Sequence, residues 1–594
     1  MNDQLKTLFD LQTENMEYTE LLKWARRIEK QELGSECPKL KIAVLGSSNT
    51  QFFTKILQVS LLSKQIQAEI YEGEYDSIRY EILNTNSELY AFKPEFLILL
   101  PNIRDLTNFP AILDLQDKVD LMIQDVVTYY QHLWESINQN NPCTILQANY
   151  VLPLENVLDQ LEVNVSYSRT FFLTKLNLEL MLNKPKQVHL INENGLSNEI
   201  GKSRWFDPIN AFLNKAPYAY EWLPITVDAY VRKIIALRGF YHKVLVLDLD
   251  NTLWGGVIGD DGVEGINLDS NHAVGEAYLA FQKYVLQLKD KGVMLAVCSK
   301  NEETAAREGF THPNMLIKLT DIACFMANWN DKASNLKIIA ETLNIKTDTL
   351  VFFDDNPTER EIIKQFLKEV TVIDVPEDPS TYVNALYQAH AFDWPQITQE
   401  DLLRIKAVEE DSQREILNTQ FVDYDAYLDS LQMFAHAGKI GSAQIERFVQ
   451  LTNKSNQFNL RTQRFTESDI IQRMNDEDYA CIYIDLSDRF SPYGIIACLV
   501  LKKSGNTTFI ENWVMSCRVL NRGVETFALN LLIEQAKAWN CIELMGEYIP
   551  SAKNAMVKDH YIKMGFDQMQ EFTYRLDVEH SLIHLTHIAI KEAK

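Results

Sequence analysis

At 594 residues, with 46% hydrophobic and 23% charged side chains, the chain has ordinary globular composition and length for roughly three to five domains. The 57 Lys and Arg against 82 Asp and Glu leave a net charge of −25, which argues against nucleic acid or an anionic membrane as main partner. No apolar run approaches the ~18 residues of a membrane span. Met1 opens a polar, helix-like stretch and not a signal peptide. The cysteines (Cys37, Cys143, Cys298, Cys324, Cys481, Cys498, Cys517 and Cys541) are scattered without a C-x-x-C pair. That spacing argues against a disulfide framework or zinc site, so the expectation is a cytoplasmic chain with no membrane insertion.

Residues 1–38 read as short amphipathic helices, with Leu5, Leu8, Phe9 and Leu11, then Leu21, Leu22, Trp24 and Ala25 at helical spacing. From 39 to 204 the pattern becomes α/β. An apolar strand, Lys41 to Leu45, runs into Gly46-Ser47-Ser48; an alternating segment spans Ala68 to Gly73; a buried strand, Phe96 to Leu100, is followed by Pro101-Asn102. Helical stretches between them predict parallel strands. Residues 205–240, with Trp205, Tyr218, Tyr220, Trp222 and Tyr230, read as a helical, aromatic connector that packs and does not bind a ligand.

Gly46-Ser47-Ser48, Gly73 and Asn102 resemble the first three blocks of the SGNH hydrolases. That family activates its Ser with a late Asp-x-x-His, because an unassisted hydroxyl is a poor nucleophile. Here Asp207-Pro-Ile-Asn210 has Asn in place of His. The expectation is an SGNH-like α/β domain that binds or docks and does not hydrolyse.

Residues 241–376 carry the chemistry. The strand Val244 to Leu247 ends in Asp248-Leu-Asp250-Asn-Thr252, with two carboxylates at i and i+2 on one side of an extended chain. Open α/β sheets place ligands at such carboxyl ends. Val257 to Gly265, rich in Gly and Asp, predicts a β-hairpin flap over the site. A helix over about 273–291 leads to the strand Val293 to Cys298, which ends in Ser299-Lys300-Asn301. Lys332 opens a further helix, with Lys318 and Lys337 as alternatives for the same role, and Thr349 to Phe353 ends in Asp354-Asp355. In chain order these four polar sets resemble the motifs of the haloacid dehalogenase (HAD) phosphotransferases. The resemblance implies Asp248 as nucleophile, Asp250 as acid/base oriented by Thr252, and Ser299 and Lys332 as phosphate clamps. It also implies Mg²⁺ held by Asp248, the Asp250 carbonyl and Asp354 or Asp355. A hard cation takes oxygen ligands, and together with a Lys it lets a carboxylate attack an anionic phosphoryl group. The stretches between Thr252, Ser299 and Lys332 are filled by predicted elements, and a further domain needs about 50 residues. The site is therefore expected to lack a cap and to admit a bulky substrate.

The longer strings Leu247 to Gly262, Cys298 to Asn301 and Phe353 to Arg360 resemble FkbH-like proteins. That branch implies dephosphorylation of 1,3-bisphosphoglycerate and loading of a glyceryl unit onto the phosphopantetheine arm of an acyl carrier protein. Acyl transfer needs a second nucleophile, and Cys298 is the candidate thiol for a glyceryl thioester, with a buried packing Cys as the other reading.

Residues 377–431 read as a charged helical linker (Glu400, Asp401, Arg404, Glu409, Asp411, Arg414). Residues 432–594 form a last α/β pattern, with strands near Cys481–Leu486, Ile495–Lys502 and Phe509–Met515. The turn Arg518-Val-Leu-Asn521-Arg522-Gly523 before a helix is similar to the pyrophosphate turn of GNAT acyltransferases, and Asn554, Tyr561 and Gly565-Phe566 to their later signature. The resemblance makes Arg518, Arg522 and Gly523 candidate cofactor-binding residues. Asn521 departs from the first Gly of that turn. Arg518, Arg522 and Lys553 would supply local positive charge for an acidic carrier.

The expected fold is a multidomain α/β chain: a central capless HAD Rossmann-like parallel sheet flanked by SGNH-like and GNAT-like α/β domains. The expected function is a Mg²⁺-dependent phosphatase/glyceryl transferase acting on a small phosphorylated substrate and a carrier protein. The alternatives are a capless phosphatase of a phosphorylated sugar or small metabolite in polysaccharide or secondary-metabolite biosynthesis, and a non-catalytic scaffold.

Overall fold

The computed structural model describes residues 8–30, 39–397 and 421–591 apart from 10, 344, 422, 456, 466, 552 and 553, together with 414 and 417. The chain divides into two compact units, Met1–Tyr241 with Asp393–Gln396, and His242–Phe392 with Ile397–Lys594. Among the described residues no helix is long and apolar enough to cross a membrane.

The first unit is built on five strands, β1 (Lys39–Gly46), β2 (Gln67–Glu72), β3 (Phe96–Leu100), β4 (Thr144–Ala148) and β5 (Val188–Ile191), all parallel in the order 2-1-3-4-5. Strands β1 and β3 are apolar on both faces because helices cover both. Ile42, Val44, Ile98 and Leu100 face helices Tyr18–Ile28, Gln51–Ser63 and Leu223–Leu237. Ala43, Leu45, Leu97 and Leu99 face Gln116–Asn140 and Arg169–Asn183. The stretch expected to be a connector, 205–240, is instead part of this core. Trp205, Tyr218 and Tyr230 are buried in it, and Phe53 meets Tyr230 edge-on with ring centroids 5.1 Å apart. Leu21 and Ala25 of the N-terminal amphipathic helix are also buried there, whereas Leu5 lies outside the described residues.

In the second unit, β6 (Val244–Leu247), β7 (Met294–Ser299), β8 (Ile322–Ala327), β9 (Leu350–Phe353) and β10 (Thr371–Val372) form a parallel sheet in the order 10-9-6-7-8. Helix Ala273–Lys291 covers one face, with Phe281 and Phe353 rings 4.7 Å apart. Helices Lys332–Thr342 and Pro357–Phe366 border the cluster of Val246, Ala296, Cys298 and Phe352 on the other. Tyr382 is buried against Phe281 and Phe353, so this domain continues past the expected end at 376.

The expected hairpin flap is reduced to one antiparallel bridge, Gly255 with Asn267, whose two N–H···O bonds are 3.2 and 2.7 Å. Ile258–Gly265 is helical, broken at Gly262 (φ 67°). The Val257 and Ile258 N–H groups donate to the Asp261 and Asp250 carboxylates at 2.8 and 2.9 Å, so the segment needs no partner strand. The elements between β6 and Lys332 leave no inserted cap domain.

The C-terminal part is an eight-stranded sheet, β11 (Phe434–Lys439), β12 (Tyr479–Ser487), β13 (Pro492–Ser504), β14 (Thr507–Met515), β15 (Glu543–Glu547), β16 (Asp567–Gln570), β17 (Thr573–Asp577) and β18 (Ala589–Ile590). The expected strands near 481, 495 and 509 fall within β12, β13 and β14. Its GNAT-like mark is the pair β14–β15, parallel over Thr507–Phe509 and then splayed. Here the splay is filled by the chain itself. Leu460 N donates to Trp513 O (3.3 Å), Met515 N to Phe458 O (3.1 Å) and Ile549 N to Leu460 O (2.8 Å). Of the expected charged linker, Glu400, Asp401, Arg404, Glu409 and Asp411 lie outside the described residues. Arg414 is buried and pairs with Asp488 at 2.6 Å.

Candidate active site

The carboxyl ends of β6, β7 and β9 and the start of helix Lys332–Thr342 bring Asp248, Ser299, Asp354, Asp355 and Lys332 to one rim. β6 continues its register into Asp248, whose N–H donates to Phe353 O at 3.0 Å. The chain then turns sharply, with Leu253 N bonded to Leu249 O at 2.8 Å and Asn251 left-handed at φ 52°. Asn tolerates that conformation better than most residues.

Lys332 Nζ sits between two carboxylates, 2.5 Å from Asp354 and 3.1 Å from Asp248, and its side chain is only 2% exposed. Burial alone would lower its pKa; Asp248 and then Asp354 outweigh that and hold it above the usual lysine range. Burial, and after it the charge of Asp248, pushes Asp354 up to about 7 against the pull of Lys332. The same two causes raise Asp355. Of the alternatives for the lysine role, Lys318 is spent on Met315 O at 2.6 Å.

Asp248 Oδ1 is buried and has no hydrogen-bond partner. Ligand atoms from Asp248, Asp354 and Asp355 lie within 4.8 Å of one another. Three convergent carboxylates, one with an orphaned buried oxygen, fit a hard divalent cation better than any protein donor present. The Asp250 carboxylate is not part of that group.

The structure corrects the role given to Thr252. Its Oγ1 donates to Asp355 Oδ1 and accepts from Asp355 N, each at 3.2 Å, so it fixes Asp355 and not Asp250. Asp250 is instead held by three N–H donors: Trp254 Nε1 (3.0 Å) and Ile258 N (2.9 Å) on Oδ1, and Asn301 Nδ2 (2.9 Å) on Oδ2. Asn301 Nδ2 also reaches Ser299 Oγ at 3.2 Å, linking Asp250 to Ser299. Asn301 has no role among the residues expected from the sequence; its place two residues beyond Ser299 at the same strand end is the signal that points to it. Arg360 Nη1 donates to the carbonyls of Asp354 and Asp355, both at 2.8 Å.

Cys298 is placed against the thioester role. It faces the core beneath the site, 0% exposed, with Sγ 3.9 Å from Lys332 O. Burial drives its thiol well above the usual range, so the thiolate is suppressed.

At the C-terminal turn, Asn521 (φ 61°) and Gly523 (φ 80°) are left-handed. Asn521 N donates to Glu525 Oε1 at 3.0 Å, so this amide of the turn already has a carboxylate partner. Arg522 donates to Tyr493 Oη, and Arg518 has interactions of its own. With the β14–β15 splay also filled, this domain as it stands does not fit a CoA-type pyrophosphate. Lys553 lies outside the described residues.

In the first unit, Ser47 and Asn102 do meet. Ser47 Oγ donates to Asp105 Oδ2 (2.7 Å) and accepts from Asn102 N (3.2 Å) and Nδ2 (3.1 Å). Asn210 Nδ2 donates to Asp207 Oδ2 at 2.5 Å, and Asp207 caps its own helix.

The capless parallel sheet with its carboxylate, hydroxyl and ammonium rim defines a HAD-type phosphatase domain. The N-terminal part of the protein BF1531 from Bacteroides fragilis, described as containing a phosphatase domain complexed with Mg, is similar at 33% identity. The match covers 64% of this chain and 100% of that one, with a TM-score of 0.58. Residues 41–235 match the model of the FkbH N-terminal domain. The chain belongs to the FkbH family. The ribosomal-protein-S18-alanine N-acetyltransferase from Escherichia coli is 12% identical, covering 26% of this chain and 99% of that one (TM-score 0.20). The GNAT domain of S. lividans PAT is 16% identical, covering 24% and 89% (TM-score 0.20). At those scores the likeness adds nothing to the β14–β15 pairing. No curated protein matches the chain.

Proposed function

We propose that the chain is a Mg²⁺-dependent phosphatase and glyceryl transferase that forms a glyceryl thioester on a carrier protein from 1,3-bisphosphoglycerate. The observation that supports it best is the orphaned, buried Asp248 Oδ1 beside Lys332, Asp354 and Asp355. The Mg²⁺ carried by the BF1531 phosphatase domain suits these carboxylates, and when bound it would offset phosphoryl charge.

Asp248 attacks phosphorus of the phosphate monoester; the bond from phosphorus to the sugar-acid oxygen breaks, and Asp250 gives that oxygen its proton. Asp250 then takes a proton from water as the water oxygen attacks the aspartyl-phosphate, releasing phosphate and restoring Asp248. Ser299 and Lys332 hold phosphoryl oxygens throughout. Thioester formation breaks the other, acyl-phosphate, bond: the carrier thiol attacks the acyl carbon, phosphate leaves with its electron pair, and the thiol proton passes to the released phosphate. Because Cys298 is buried and its thiol suppressed, the acyl group passes directly to the carrier thiol. A rim without a cap admits a carrier-borne arm.

The test is incubation with 1,3-bisphosphoglycerate, Mg²⁺ and a panel of holo carrier proteins, followed by intact-mass analysis. A glyceryl adduct on a carrier, lost in Asp248→Asn, is expected. Phosphate release without any adduct would replace this reading with a capless phosphatase of a small phosphorylated metabolite.

A further inference from the structure

The first unit holds a second concentration of positive charge, away from any motif. Along the outer edge of β5 runs an open cavity of about 500 Å³ whose charged or titratable lining is Lys184, His189 and Lys233, with no Asp or Glu. In a chain with 82 acidic against 57 basic residues, a wall without a single carboxylate is an exception that needs a cause. The volume lies within the ~300–1,000 Å³ typical of small-molecule sites.

The cations are oriented but not neutralised. Lys184 Nζ donates to Val188 O at 2.9 Å; Lys233 Nζ reaches Trp394 O and Pro395 O at 3.3 and 3.4 Å. These are carbonyls, and each ammonium carries three donors. Among the described residues neither lysine forms an ion pair; Asp393 faces Arg232 at 3.7 Å, and its charge offsets only part of the burial and Lys184 repulsion that lower the Lys233 pKa. His189 registers the uncompensated charge: burial first, then Lys233 and Lys184, push it down to about 4, so the ring stays neutral at pH 7.

The rest of the wall is built to receive a ligand's other parts. Asn177 is locked by Tyr150, with Nδ2 to Tyr150 O at 2.8 Å, and Asn149 Nδ2 donates to Asn192 Oδ1 at 3.0 Å, fixing that side chain. Leu178 and Met181 of helix Arg169–Asn183 supply apolar surface, 48% and 51% exposed.

We propose that this cavity binds an organic phosphate, with the phosphate on Lys184 and Lys233 and the carbon skeleton over Leu178 and Met181. A doubly charged phosphate matches two unpaired ammonium groups, and charge-assisted hydrogen bonds are the strong ones. The site does not depend on the glyceryl reading and stands or falls separately from it. The phosphate can come from a free small metabolite or from a phosphopantetheine arm, and the test separates them.

The full chain carrying Asp248→Asn, in EDTA to silence the phosphatase site, is titrated calorimetrically with glycerol 3-phosphate, 4′-phosphopantetheine and inorganic phosphate. Saturable binding of at least one organic phosphate, tighter than inorganic phosphate, is expected. Lys184→Met with Lys233→Met, which keeps the aliphatic stems, should weaken it by about tenfold or more; circular dichroism and the thermal midpoint check that this variant folds. The bound ligand should also raise the His189 titration midpoint seen by NMR. No saturable binding up to about 10 mM on the affinity scale overturns the proposal. So does binding that survives the double substitution, or inorganic phosphate binding as tightly as either organic ligand.

Discussion

Two parallel five-stranded sheets in this chain end in polar rims, and the rims differ in one respect. At the end of β1, Ser47, Asn102 and Asp105 form a closed set in which each group satisfies another. At the end of β6, Asp248 Oδ1 is buried with no donor, beside two more carboxylates and an ammonium. A closed network stabilises a fold; a buried oxygen left open costs free energy unless a ligand completes it. The same strand-end position is therefore closed in one unit and open to a ligand in the other.

The comparison can be broken most directly at Asp248. Asp248→Asn keeps the shape but removes the attacking charge, and turnover of p-nitrophenyl phosphate with Mg²⁺ should fall about a thousandfold or more. Lys332→Met leaves two buried carboxylates facing each other. Denaturant unfolding should show a loss of about 3–5 kcal/mol, and phosphatase activity should fall as well. Activity retained in either variant would put this rim in the same structural class as the first.

At the other rim the test is pH. Burial raises Asp105 to about 6 from 3.8, although Ser47 and Asn102 pull it down. The folded state thus holds its proton more tightly than the unfolded one. That contribution to stability is complete below about pH 3.8 and is lost as pH rises through about 6. Asp105→Asn should remove the dependence, so its thermal midpoint should gain on wild type between pH 5 and 7.5, by at most about 3 kcal/mol in stability. A difference that is flat with pH would sink the assignment.

Asn301→Ala deletes one of three donors on Asp250 and the link to Ser299. A fall of about tenfold in kcat is expected, with a displaced pH–rate limb and little change in KM, which a purely structural loss would not produce. Ser47→Ala is the smallest change. It should cost about 1 kcal/mol of stability and leave phosphatase turnover at the wild-type level.

Much of the phosphatase domain was legible because its signals are local. The apolar runs before Asp248, Ser299 and Asp354 mark buried strands by composition alone, and helix Ala273–Lys291 follows from its spacing. The segment after Trp254 misled because Gly- and Asp-rich alternation suits a hairpin. What makes it a helix start is a pair of carboxylates, Asp250 and Asp261, capping its amides, and a capping bond between residues eight apart leaves no periodicity to read. Likewise 205–240 looked like a connector because nothing in its aromatic pattern says which sheet will bury it.

The sequence by itself determined the residue types and their order: a carboxylate pair, a hydroxyl, an amine and a second carboxylate pair, each at the end of an apolar strand or the start of a helix. Those follow from backbone periodicity and chain connectivity. Only the tertiary structure decided which partner each one has. Thr252 holds Asp355, Asn301 holds Asp250, Cys298 is sealed into the core, and the C-terminal splay is closed by Phe458–Leu460. Hydrogen bonds between groups distant in the chain depend on how the strands stack side by side, and strand order is set by packing the whole core.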